Sequence, residues 1–351
     1  MAIDEIVADT RAAHDGEGYW RAHPLDEGFG DADTTLYAGA SGVFWALRFL
    51  GQPIDCDFPR LLERNALWYA SRSPYPRHAS LLMGDIAVLL LMGERDALRQ
   101  RIANNLRLPA KELLWGMPGT MLAALFVGED ALYRQQAERL LGAFTDTRFG
   151  PLCVQELYGE QRLYLGPAHG FAGHMLALLR GWQWLDDGQR ERVAAFAVRT
   201  VTQNAHEDTG GANWAGAAEN PTPVLVQWCH GAPGIVTSFA DAPFASPELN
   251  RLLVRAGELT WRAGPLAKGP NLCHGTAGNG YAFLKLHRRS GDAIWLDRAR
   301  AFAMAAIEQC RAARGKYGRG RYSLWTGDLG VAVYLHACLK VDPRFPTIDF
   351  F

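Results

Sequence analysis

The sequence predicts an all-α fold, an α/α toroid of seven inner and seven outer helices, and three observations carry that expectation. A glycine-paired unit recurs along the 351 residues at spacings of roughly 35 to 60. Each copy runs into a segment that is small or apolar for about three turns. The stretches between copies are amphipathic and charged.

Aligned on Gly-x-x-Gly, the unit reads YAGASGVFWAL at 37, LLWGMPGTMLAAL at 113, PAHGFAGHMLALL at 167, WCHGAPGIV at 228, LCHGTAGNGYAFLKL at 272 and LWTGDLGVAVYL at 324. A seventh copy, SLLMGDIAVLLL at 80, is read as keeping only the second glycine. The glycines supply a tight turn and a helix start without a Cβ clash. A helix that is apolar all round is buried, so each copy predicts an inner helix. The charge-bearing stretches 59–71, 94–106, 130–141, 187–204, 249–262 and 292–313 predict outer, partly solvated helices. A chain of such pairs, burying one helix of each, closes into a ring. No alternating run of more than a few residues argues for strands. With no strand before Gly-x-x-Gly and no acidic partner after it, a dinucleotide reading is poor.

No Ser/Pro-rich linker or charge block divides the repeats, so residues 1–351 are read as one domain. A net charge of −1 and a pI near 6.8 provide no long-range attraction for nucleic acid or an anionic membrane. The N-terminus lacks a basic start followed by an apolar core, and no uncharged run reaches spanning length, which leads us to expect a cytoplasmic protein. The six cysteines do not form a disulfide-dense pattern. Cys56, Cys153, Cys310 and Cys338 lie in unrelated contexts and are read as buried free thiols.

The remaining cysteines carry the chemistry. The residue before the first glycine is His169, His230 and His274 in three units, and the one before that is Cys229 and Cys273 in two. Equivalent positions of a closed ring project toward the same end, where the positive ends of the inner-helix dipoles also gather. Thiolate and neutral imidazole are zinc ligands, and three of them with an open fourth position mark a catalytic site. One Cys-His pair is usually core packing, whereas two pairs in register point to one zinc ion per chain. Spacing alone leaves open whether His230 or His274 supplies the nitrogen, and leaves a closed Cys2His2 structural site as an alternative. His169 lacks the preceding cysteine. Alone it reads as a structural histidine, but its register with the metal triplets suggests a proton-transfer role.

GPAHGFAG at 166, VQWCHGAPG at 226, KGPNLCHGTAGNGYAFLKL at 268 and the tail SLWTGDLGVAVYL…FPTIDFF resemble the lanthionine synthetase C-like family over nearly the whole chain. They resemble its glutathione-binding, eukaryotic-type branch more than the dedicated lantibiotic cyclases. The resemblance implies a zinc-containing α/α toroid in which Cys229, Cys273 and His274 match the ligands and His169 the active-site histidine. Glu112 stands where the cyclases carry an aspartate. Two departures set the chain apart from those cyclases: their tyrosine after the first ligand cysteine is His230 here, and their arginine four residues before it is Leu225. Lys268 matches a glutathione-binding lysine.

The implied reaction is conjugate addition of a thiol, from glutathione or a cysteine, to dehydroalanine or dehydrobutyrine in a peptide or protein. Zinc would lower the thiol pKa. His169 would protonate the developing enolate, with His230 assisting. Alternatives are a lanthipeptide cyclase and a non-catalytic zinc- and glutathione-binding adaptor. Glutathione carries two carboxylates, so a nearly neutral protein must hold it by local cations. Lys268 and the basic loop bearing Lys316, Arg319 and Arg321 are the expected contacts.

Overall fold

In a computed structural model of the chain, residues 2–26, 33–72, 79–157, 159–220, 222 and 225–351 are described. Seven helices follow the repeated units: α2 (Ala40–Phe49), α4 (Ile86–Met92), α6 (Met117–Val127), α8 (Phe171–Arg180), α10 (Ala232–Phe239), α12 (Thr276–Ser290) and α14 (Asp328–Lys340). Each packs against the next, and α14 returns to pack against α2, so the inner ring is closed. Outside it lie α1 (Ala2–Ala12), α3 (Phe58–Arg72), α5 (Arg95–Asn105), α7 (Asp130–Gly142), α9 (Asp187–Gln203), α11 (Pro247–Ala263) and α13 (Ala293–Tyr317). Inner helices such as α2, α8 and α10 are buried along nearly their whole length. The outer helices present one buried stripe, as in α11 with Leu249, Leu252, Leu253 and Ala256.

Six of the seven outer helices fall on the six amphipathic stretches. The seventh is α1, which sequence periodicity did not single out. It is a short helix that packs against α14 and is tied to α13 by Arg311–Glu5 at 3.2 Å and Arg314–Asp9 at 2.7 Å.

The glycine pair is explained by close approach. A Cβ on the second glycine would fall 2.1 Å from the carbonyl oxygen of Pro167 at Gly173, 2.1 Å from that of Trp228 at Gly234, and 1.8 Å from that of Leu272 at Gly278. In each case the chain entering the turn passes directly over the first helical turn, so no larger residue fits. The first glycine caps α2, α6, α8, α12 and α14 in extended conformation, whereas Gly231 before α10 has a φ of 114° that only glycine adopts readily.

Backbone hydrogen bonds link the turns to one another. The amide of Tyr37 donates to Leu82 O at 3.0 Å, Trp325 N to Tyr37 O at 3.1 Å, Cys273 N to Trp325 O at 3.0 Å and Cys229 N to Cys273 O at 3.0 Å. All five residues sit two places before the first glycine of their unit. This register corrects the reading of the second unit: Leu82 occupies that place, so Gly84 is its first glycine and Ala87 replaces the second.

The expected scarcity of strands holds, with three small hairpins among the described residues: β1 (Thr145–Thr147) with β2 (Gly150–Leu152), β3 (Gln155–Leu157) with β4 (Glu160–Arg162), and β5 (His206–Asp208) with β6 (Gly211–Asn213). The C-terminal tail packs against the turns and the inner helices. Phe345 makes ring contacts with Trp228, Trp325 and Tyr281, and Trp325 Nε1 donates to Thr347 Oγ1 at 3.1 Å. Asp349 reaches Arg180 and the fully buried Lys285, which also pairs with Asp241.

All six cysteines are free. Cys153, Cys310 and Cys338 are buried as expected, whereas Cys56 is only half-buried, because it lies in the loop between α2 and α3 rather than on a packed helix.

Candidate active site

The linked turns bring Cys229 and Cys273 side by side in backbone contact, 7% and 4% exposed, and their thiols interact directly. Each sulfur receives a further donor. Gln227 Nε2 donates to Cys229 Sγ at 3.0 Å and the Tyr37 hydroxyl to Cys273 Sγ at 2.9 Å. Cys229 takes the first negative charge of the pair: the hydrogen bond from Cys273 lowers its pKa, aided by Gln227 and by the charges of His169 and Lys268. Cys273 is correspondingly held above its ordinary value by its bond to Cys229 and by burial.

His169 and Glu112 form the second half of the site. Glu112 is wholly buried in the loop before α6, its Oε1 accepting from Trp115 N at 2.5 Å and its Oε2 from Leu114 N at 3.1 Å. Oε2 also meets His169 Nδ1 at 2.8 Å. A carboxylate only accepts, so Nδ1 carries the proton, and exchange with substrate falls to Nε2. Burial alone would lower the pKa of His169, but the hydrogen bond and charge of Glu112, with a smaller contribution from Cys229, raise it above its ordinary value.

His230 lies 6.1 Å from His169, ring to ring, and Tyr164 lies 5.9 Å from His169 and 6.3 Å from His230. The three rings line one side of the mouth. Tyr164 is held there by pairing of 163–165 with 216–218, through Leu165 N to Gly216 O at 3.0 Å and Ala218 N to Leu163 O at 2.8 Å. Burial, then the charges of His169 and Lys268, push the pKa of His230 down to about 4, and its Nδ1 is buried without a hydrogen-bond partner. His274 is likewise held at about 4, by burial and then by Arg321 and Lys268, so it is a neutral imidazole at neutral pH.

Among the described residues, no three His, Cys, Asp or Glu side chains are gathered around one point. The two sulfurs are gathered, and both accept hydrogen bonds, as metal-bound thiolates do. His274, next to Cys273 in sequence, is a neutral imidazole, the kind of donor that the sequence reading adds to the two sulfurs. Thiolate, thiolate and neutral imidazole fit zinc.

Of the expected cationic contacts, Lys268 and Arg321 act on this cluster, Lys268 on Cys229, His230 and His274 and Arg321 on Cys273 and His274. Lys268 is exposed and gives one N–H to Gln227 Oε1 at 3.2 Å. Arg321 pairs with Asp26 at 2.6 Å and donates to Leu25 O at 3.2 Å, and Arg319 donates to Ala22 O. These two arginines fasten the segment 20–26 to the turn before α14. Lys316 lies over the Tyr317 ring at 4.9 Å. Sequence reasoning passed over Tyr37 and Gln227. Tyr37 had a signal, since it occupies the cysteine position of the first unit. Tyr164 and Gln227 had none.

Comparison with known proteins follows the same lines. The family model described as "Lanthionine synthetase C-like protein" matches residues 85–350. The chain is 29% identical over 372 residues to "Glutathione S-transferase LANCL1" of Danio rerio, covering 93% of this chain and 88% of that protein. It is 30% identical over 258 residues to "LanC-like protein GCL1" of Arabidopsis thaliana, covering 68% of this chain and 57% of that one. Among solved structures, "Nisin cyclase" superposes with a TM-score of 0.60 at 14% identity over 96% of this chain and 98% of its own. At that identity the likeness speaks for the fold.

Proposed function

The chain belongs to the lanthionine synthetase C-like family, and from that premise we propose that it is an enzyme adding a thiol, glutathione or a peptide cysteine, to dehydroalanine or dehydrobutyrine residues to form a thioether. The observation that carries the reading is the His169–Glu112 pair set beside the Cys229–Cys273 pair, a proton donor next to a place that favours anionic sulfur. Similarity over 93% of the chain to a relative named a glutathione S-transferase supports glutathione as the thiol.

Cys229, Cys273 and His274 would hold one zinc ion, whose charge would lower the pKa of a substrate thiol. The thiolate's electron pair forms a C–S bond to the alkene β-carbon, and the alkene's π pair moves to the α-carbon and its carbonyl. His169 delivers its proton to the α-carbon and is reprotonated at Nε2 by the proton that the thiol released, so thiol and alkene combine with nothing left over. Glu112 holds the ring in the tautomer with Nδ1 protonated and stabilises the charged imidazolium before transfer. His230, neutral and 6.1 Å from His169 ring to ring, would serve as a donor to the carbonyl oxygen, where charge develops. Lys268 supplies a cation for a glutathione carboxylate.

The test is to incubate purified protein with glutathione and a dehydroalanine-containing peptide and to measure the mass of the product. A glutathione adduct, absent with His169→Asn, establishes the activity. An unchanged peptide with glutathione, but cyclisation of a peptide bearing its own cysteine, would give the reading to a cyclase. No product in either case would leave an adaptor.

A further inference from the structure

Resting on that zinc reading, we propose that Gln227, oriented by Lys268, and Tyr37 are positioning residues that hold the two cysteine sulfurs, one donor to each. Neither touches substrate in this scheme. They act through Cys229 and Cys273.

The orientation of Gln227 follows from what its partner can do. Lys268 has only N–H groups to offer, so the amide face toward it must be Oε1, which receives Nζ at 3.2 Å. Nε2 is then compelled to face the other way, where it meets Cys229 Sγ at 3.0 Å. Gln227 is 6% exposed, and its backbone is pinned by exchange with His230, through Gln227 N to His230 O at 3.1 Å and His230 N to Gln227 O at 3.2 Å. An amide so fixed cannot turn its oxygen onto the sulfur. Lys268 thus reaches Cys229 through a chain of two hydrogen bonds as well as through space.

Tyr37 is fixed by a different route. Its amide and carbonyl both belong to the chain of backbone bonds that also carries Cys273, and its ring stacks on Trp325 at 6.1 Å. Because it occupies the cysteine position of the first unit, the repeat geometry that aims Cys273 at the mouth aims the Tyr37 hydroxyl there too, to reach Sγ at 2.9 Å. Two unrelated residues from units far apart in sequence therefore end as hydrogen-bond donors on neighbouring sulfurs. Donors of this kind fix the orientation of metal-ligating groups and tune their charge.

The experiment measures zinc affinity by competition with a chromophoric chelator for the full-length wild type and for Gln227→Met, Tyr37→Phe, Lys268→Met and the Gln227→Met/Lys268→Met double variant. Gln227→Met and Tyr37→Phe should each weaken zinc binding by about 10-fold or more. Lys268→Met should weaken it less, and its effect should shrink once Gln227 is replaced, because the part carried by the hydrogen-bond chain passes through that residue and only the through-space part remains. In the cobalt-substituted protein, both single donor losses should move the thiolate-to-metal charge-transfer band to longer wavelength. Affinities within two-fold of wild type for both donor variants, or a full Lys268 effect that persists without Gln227, would overturn the proposal. If the wild type binds no zinc, the zinc reading fails on its own, and the donors are tested in the metal-free protein by site-resolved alkylation with iodoacetamide. Gln227→Met should then slow Cys229 alone and Tyr37→Phe should slow Cys273 alone. Unchanged rates, or both cysteines accelerated together as in a loosened fold, would overturn it.

Discussion

The backbone amide of Cys229 donates to the carbonyl of Cys273 at 3.0 Å, joining equivalent places in two units of the repeat that lie 44 residues apart. The same bond joins Cys273 to Trp325 and Trp325 to Tyr37, so the pairing of the two sulfurs is a consequence of ring closure. Side chains set by the backbone in this way stay in place when one is removed, which makes single substitutions informative.

One zinc ion per chain is the expected content of the purified protein, and Cys229→Ala, Cys273→Ala and His274→Ala should each lose it, while His230→Ala keeps it. Elemental analysis decides the matter. Full zinc in Cys273→Ala, or loss in His230→Ala with retention in His274→Ala, would require a different ligand set.

His169→Asn should keep its zinc and lose about 10²–10⁴ in rate, the usual range for a general acid. The pH dependence tests Glu112 as well. The acid form of His169 is present below its pKa and lost as pH rises through it, and Glu112 holds that pKa up. With Glu112→Gln, burial acts without the compensating charge, so the alkaline fall in rate should move to lower pH by about 1–3 units. A pH–rate profile that does not move would remove Glu112 from this role.

How much of this could be read from the chain itself depends on the range of each interaction. The inner helices and the meeting of the cysteines were legible because a repeat converts sequence register directly into position. Helix α1 escaped because it precedes the first glycine unit, so no repeat on its N-terminal side brackets it, and its place depends on ion pairs with α13 some 300 residues away. Glu112 was reached through family resemblance, but its hydrogen bond to His169 spans 57 residues and has no pattern of its own. Charge composition showed that Arg319 and Arg321 exist, and could not show that their partners wait in the segment 20–26, because an ion pair between distant segments leaves no periodic trace.

Those partners separate the two kinds of cation. Lys268→Ala should weaken glutathione binding by roughly 1–3 kcal/mol, the scale of a charge-assisted hydrogen bond. Arg321→Ala should act first on stability, since it strands Asp26, 9% exposed, without its cation, at a cost of the order of 3 kcal/mol. Calorimetric titration with glutathione and denaturant unfolding of both variants distinguish the roles. A Lys268→Ala protein that binds glutathione as wild type does would remove that anchor, and an Arg321→Ala protein of unchanged stability would return Arg321 to the binding site.

The ion pairs of the C-terminal tail predict acid sensitivity. Asp349 is 6% exposed, and burial by itself would raise its pKa. Arg180 and Lys285 outweigh burial and hold it far below the ordinary carboxylate range, with a further hydrogen bond from Phe345 N at 2.7 Å. A carboxyl group whose folded pKa is depressed contributes stability that is complete above its unfolded value, ~4, and drains away as pH falls below it. The wild type should therefore keep its thermal midpoint from neutral pH down to about 5 as far as this group is concerned, then lose it progressively below about 4. Lys285→Met leaves Asp241 and Asp349 sharing Arg180, 3.3 Å from Asp241, and should cost about 3–5 kcal/mol at neutral pH, as removing one partner from a buried ion pair does. Its loss should shrink in acid, because protonating the stranded carboxyls removes the unpaired charge. Unfolding of both proteins by denaturant at pH 7 and at pH 4 measures this. A Lys285→Met penalty that is the same at both pH values would mean that Lys285 stabilises the tail by packing and not by charge.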